Sequence, residues 1–104
     1  MIDEYIPRQF KRSLSGHECK TEPKAGLAGQ KNGVLLSSGE KLGFPVFLTV
    51  DKGLAFGQNL AGRTIAIVIV LTKSNRLGDL VPHATECVSQ ISQVRPGQVV
   101  HVRA

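Results

Sequence analysis

Two aspartates each close an apolar run, the position at which a parallel sheet exposes its ligand-binding edge. Asp3 follows Met1-Ile2, and Asp51 follows Phe47-Leu48-Thr49-Val50. In open parallel sheets, ligands bind beyond the carboxyl ends of the strands, near the point where strand order reverses. If the two strands are neighbours, the carboxylates of Asp3 and Asp51 face one cleft, with Glu4 beside the first. Hard cations such as Mg²⁺ take oxygen ligands and keep several waters, so two or three carboxylates suffice to hold one. A metal held there generates hydroxide and stabilises an oxyanion in phosphodiester cleavage. The plainer alternative is that Asp3 and Asp51 cap the turns that follow them.

Cations are the second feature. Arg8, Lys11 and Arg12 come directly after Asp3-Glu4, opposite the apolar stripe of Ile6, Phe10 and Leu14. Such a face holds a phosphate backbone, because cationic contacts supply the sequence-independent part of nucleic-acid affinity. A solvated helix face is the competing reading. Lys52, next to Asp51, and Arg76 are further candidates for phosphate contact. No aromatic interleaving points to base stacking, and Tyr5 and Phe56 are the only aromatic candidates near the cleft.

Other chemistry is poorly supported. His17 and Cys19 share a strand face, but no second ligand pair completes a zinc site, and His83 and His101 are isolated. No serine sits in a G-x-S-x-G elbow. The glycine-rich segments Gly26–Gly29 and Gly53–Gly57 match neither a phosphate loop nor a dinucleotide fingerprint.

The elements that must position these residues alternate between apolar runs and helical periodicity, the pattern of β-α-β units. A first strand ends at Asp3-Glu4. A helix from Pro7 carries Ile6, Phe10 and Leu14 and stops at Gly16, and His17–Thr21 reads as a short strand. Asn32 begins a weak helix through about Leu42, closed by Gly43. Pro45–Val50 and Thr64–Leu71 are buried strands. A last helix presents Leu77, Leu80, Val81, Ala84, Val88 and Ile91 on one stripe, capped by Asn75 or Asp79, with Pro82 in its first turn. Arg95-Pro96-Gly97 turns the chain into a final strand, Gln98–Val102. The crossover rule folds this order into a mainly parallel sheet covered on both faces.

The chain has 104 residues, enough for one domain spanning 1–104. With 41% hydrophobic and 20% charged residues and no Trp, the core must come from Val, Ile and Leu, as in buried parallel strands. Two isolated cysteines, Cys19 and Cys87, read as reduced thiols. The opening residues carry no leader pattern, and the longest apolar run, Ile65–Leu71, is too short to cross a bilayer, so a cytoplasmic protein with no membrane partner is expected. The net charge of +5 favours an anionic partner.

Taken together, several motifs resemble one family, the small PIN-like proteins of DUF5615. Ile2-Asp3-Glu4-Tyr5-Ile6-Pro7-Arg8 resembles its L-D-E-N-hydrophobic-P-R opening, and Gly16-His17-Glu18-Cys19 its G-H-E/D-V strand. Ala28–Leu36 is similar to its A-G-x-x-N-G-E-L-L segment. Phe47–Leu54 followed by Gln58-Asn59-Leu60 resembles its F-L-T-x-D-x-x-L…Q-N-L block. Ser74–Leu77 and Arg95–Val100 extend the likeness over nearly the whole chain. The resemblance implies a three-layer α/β/α PIN-like fold with a mainly parallel sheet of four to five strands. It also implies Mg²⁺- or Mn²⁺-dependent ribonuclease chemistry, in many relatives as the toxin of a toxin–antitoxin pair. On the matching positions, Asp3 and Asp51 are the metal carboxylates, with Glu4 and Asn59 as catalytic polar support. Two departures stand out: Val34 replaces the acid of N-G-E-L-L, and Tyr5 replaces the Asn beside Asp3-Glu4. Glu40, further along that helix, is a poor substitute for the missing acid. Relatives show more apolar residues before the first Asp, so the first strand is expected to be clipped.

Three readings follow. The first is a metal-dependent endoribonuclease acting on RNA and held by an antitoxin protein. The second is a PIN-like module that has lost catalysis and binds RNA or a protein. The third is a homodimer built on the last helix and final strand.

Overall fold

The computed structural model describes residues 1–3, 5–14, 32–54, 60 and 62–103. Three strands form an all-parallel sheet in the order β1 (Val46–Thr49), β2 (Ala66–Val70), β3 (Val99–Val102). Every residue of β1 and β2 is buried. Their unbroken Phe, Leu, Ile and Val runs therefore report cover on both faces, as parallel sheets require. Val46 pairs with Ala66 and Ile67 with Val99, so all strands point their carboxyl ends to the same edge.

Residues 1–3 extend this sheet on the free side of β1. Val46 O accepts from the Met1 nitrogen at 2.8 Å, and Met1 O and Leu48 O alternate with Leu48 N and Asp3 N at 2.9 Å each. Ile2 and Leu48 make a single parallel bridge. The expected first strand is thus a bridge-length segment beside three full strands. The expected strand His17–Thr21 lies outside the described residues, and so does the expected helix stop at Gly16. Among the described strands, the spatial order follows the chain without a reversal, so the expected switch point is not seen among them.

The period-2 alternation divides the core. Ile2, Val46, Leu48, Val68, Val70 and Val102 pack with Phe10, Leu80 and Cys87, whereas Met1, Phe47, Ile67 and Ile69 pack with Leu35, Leu36 and Leu54. Each such side chain, fully buried, stabilises by roughly 1.5–3 kcal/mol. Helix α1 (Asn32–Lys41) ends where Gly43 takes a φ of +83°, a left-handed closure that glycine adopts without a Cβ penalty.

Two helices differ from expectation. The Pro7 segment is a 3-10 helix over Arg8–Ser13, tied by Phe10 N to Pro7 O at 2.9 Å and Leu14 N to Lys11 O at 3.1 Å. Ile6 and Leu14 are buried as expected, but they flank the helix rather than ride on it, so Phe10 alone is presented by it. The last helix is broken into α2 (Leu77–Leu80), a 3-10 turn (Val81–His83) and α3 (Ala84–Gln93). Pro82 explains the break, since its ring clashes with the carbonyl one turn back and it has no N–H to donate. The break turns Val81 out to solvent, while Leu80, Ala84 and Cys87 carry the buried stripe. Neither Asn75 nor Asp79 caps the helix. Arg76 holds the cap position with an extended backbone and no side-chain cap bond. No helix among the described residues is long and apolar enough to cross a membrane.

Candidate active site at the carboxyl edge of the sheet

At this edge the Asp3 side chain and the Asp51 backbone are linked through Thr49, a residue to which motif reading gave no role. Thr49, the last residue of β1 and fully buried, donates its hydroxyl to Asp3 Oδ2 at 2.5 Å. Thr49 Oγ1 in turn accepts the backbone N–H of Asp51 at 3.0 Å. Asp3 is only 6% exposed, and its Oδ1 accepts from Tyr5 N at 3.1 Å. Asp51 is exposed, and its Oδ1 accepts from Gly53 N at 2.9 Å. Both aspartates therefore bond the amide two residues on, the turn-forming habit of this side chain. The capping alternative holds in this sense, and it leaves Asp51 Oδ2 without a hydrogen bond among the described residues.

The donor set at this edge is two carboxylates and one hydroxyl, all hard oxygens. Among the described residues no group of three or more His, Cys, Asp or Glu gathers for a metal. Two carboxylates suit Mg²⁺, which is commonly held by one or two carboxylates together with substrate phosphates. Glu4 and Asn59, expected as polar support, lie outside the described residues. Val34 is 65% exposed in the first turn of α1, where the motif would have an acid. Glu40 sits at the far end of the same helix and is committed there. Its carboxylate accepts from Arg63 Nη1 at 2.5 Å, from Thr64 N at 2.6 Å and from Thr64 Oγ1 at 3.0 Å. The Thr64 amide, followed by Arg63, holds its pKa below the usual glutamate value against the opposing effect of burial.

The expected cations all reach solvent. Arg8, Lys11 and Arg12 are exposed on the 3-10 helix that buries Phe10, and Lys52 is exposed beside Asp51. Arg76 is exposed at the head of α2, which packs against that 3-10 helix. Asn75 joins the two regions by donating Nδ2 to Tyr5 O at 2.8 Å. Lys73, also exposed, was not singled out by motif; only its place just after β2 signals it.

Beyond the end of β2 lies an open cleft of about 280 Å³, lined by Leu71, Thr72, Lys73, Asp79, Pro82 and His83. Ser74 Oγ donates to Asp79 Oδ2 at 2.6 Å and fixes one wall. His83 is 6% exposed, and its buried Nδ1 has no hydrogen-bond partner among the described residues. Sequence reading left His83 isolated, because the opposite wall of the cleft, Leu71, Thr72 and Lys73, comes from the segment after β2.

Cys87 is free and buried against the sheet, and burial, aided by Glu86, pushes its thiol up to about 11. Cys19 lies outside the described residues. No family model matches the sequence, and no curated protein and no solved structure matches it either.

Proposed function

We propose that this chain is a PIN-like, Mg²⁺- or Mn²⁺-dependent endoribonuclease of three-layer α/β/α architecture. The observation that carries the reading is the junction of Asp3 and Asp51 through Thr49 at the carboxyl edge, with exposed cations around it. The core clusters on opposite faces of the parallel sheet support the layered fold. A divalent ion held by Asp3 and Asp51 would supply activation of water and charge stabilisation for phosphodiester hydrolysis. Thr49 fixes the rotamer of Asp3 from the buried side, and the Gly53 amide does the same for Asp51. Arg8, Lys11, Arg12, Lys52 and Arg76 hold the phosphate backbone beside them. In this reading the cell restrains the activity with an antitoxin-type partner protein.

A second reading, a PIN-like RNA-binding module without catalysis, is favoured by Val34. A valine neither ligates a cation nor orients water. Titration calorimetry with Mn²⁺ and Mg²⁺, followed by RNA cleavage, separates the two. Asp51→Asn is the informative variant, because an Asn Oδ1 still accepts from Gly53 N and preserves the turn. Loss of metal binding and cleavage in that variant establishes the nuclease. Absence of both in the unaltered chain, with RNA binding retained, establishes the binding module.

A further inference from the structure

We infer that Tyr5 is a stacking platform for one base of a single-stranded nucleic acid laid across the carboxyl edge. The inference rests on the nucleic-acid reading of that edge and adds to it the strand state of the substrate and the residue that senses it. Tyr5 is the most exposed large hydrophobic side chain among the described residues, at 67%. An aromatic ring left in water on a mobile tail would mean little, but Tyr5 is held on both sides. Its amide donates to Asp3 Oδ1 at 3.1 Å, and its carbonyl accepts from Asn75 Nδ2 at 2.8 Å. The backbone is therefore fixed to the carboxylate site on one side and to the loop after β2 on the other. Among the described residues, the ring takes no part in these bonds.

Besides the Asp3 carboxylate, the segments that hold Tyr5 carry exposed cations. Exposed Lys73 lies two residues before Asn75 and exposed Arg76 directly after it, and exposed Arg8 lies three residues after Tyr5. The 3-10 helix carrying Arg8, Lys11 and Arg12 packs against α2, which starts directly after Arg76. A fixed exposed ring among such cations is the combination used by proteins that bind single strands, where every base offers a face to stack and the backbone is tracked by charge. A duplex keeps its bases stacked on each other and offers the ring nothing.

The chain has one Tyr and no Trp, so the intrinsic emission of the unaltered protein reports on Tyr5 itself. The test uses a 2′-O-methyl oligouridine in EDTA, which cannot be cleaved and needs no metal. It is offered as a single strand and as a duplex with its complement. Single strand is expected to quench Tyr5 emission saturably, after correction with free tyrosine for absorbance, and duplex is not. Anisotropy of a labelled strand should show about tenfold weaker binding by Tyr5→Ala, in keeping with the measured worth of base–aromatic stacking, and near-native binding by Tyr5→Phe. Binding that is unchanged in Tyr5→Ala, or quenching by duplex as strong as by single strand, overturns the inference while leaving the nuclease reading standing. If neither form binds, both the stacking role and the nucleic-acid reading fall.

Discussion

Thr49 contributes one side-chain oxygen to the site, and that oxygen is used twice. It donates to Asp3 and accepts from Asp51 N, so it adds a side-chain tie at the carboxyl end of two segments already paired through their backbones. Thr49→Val keeps the shape and removes both bonds. A buried carboxylate that loses a donor and an amide that loses an acceptor cost about 1–3 kcal/mol. Urea denaturation should show that loss for Thr49→Val and most of it recovered in Thr49→Ser. A valine variant as stable as the parent would mean that the hydroxyl holds nothing. Asp3 and Asp51 were legible because acids ending apolar runs are conspicuous. Thr49 was not, because a threonine inside a strand is more often chosen for its β-branched shape than for its hydroxyl. His83 was read as isolated and Asp79 as a cap for another reason: the cleft they share exists only once the loop after β2 has folded back.

Elements show where local rules were enough and where tertiary packing overrode them. The β1 and β2 runs, the α1 span and the glycine closures at Gly43 and Gly97 follow from residue chemistry alone. At Gly97, φ is +77° and a Cβ would stand 2.9 Å from Leu60 O, so the turn needs glycine twice over. The last helix was misread because its apolar stripe runs through Pro82 without interruption in sequence, whereas the backbone cannot. The corner joining α1 to β2 has a titration signature. Because the Thr64 amide and Arg63 lower the Glu40 pKa, this carboxylate stabilises the fold fully above its ordinary pKa of 4.5. That contribution is lost as pH falls through the lower folded value. Stabilities of the parent and Glu40→Gln should therefore converge in acid and be fully separated by about pH 4.5, the ordinary Glu value. A gap that stays constant from pH 3 to pH 7 would refute the assignment.

At the scale of the molecule, the parallel arrangement was readable from composition, since a core of Val, Ile and Leu with few aromatics and strands apolar throughout leaves few alternatives. The pairing of residues 1–3 with β1 was not, because nothing local announces which distant strand a short segment will join. That pairing has a kinetic side. The bond from the Met1 nitrogen to Val46 O spans 45 positions and the one from Thr49 to Asp3 spans 46. Contacts so far apart in sequence close only after a large loss of chain entropy, and topologies built on them fold slowly. Helices α1 and α3, by contrast, complete their bonds within a few residues. After dilution from urea, far-ultraviolet ellipticity should recover in an early phase and Tyr5 emission in a later one. Tyr5 recovering first would contradict this order. On this order the Thr49–Asp3 bond forms together with the pairing of residues 1–3, so a newly made chain carries an open β1 edge until that short segment closes it.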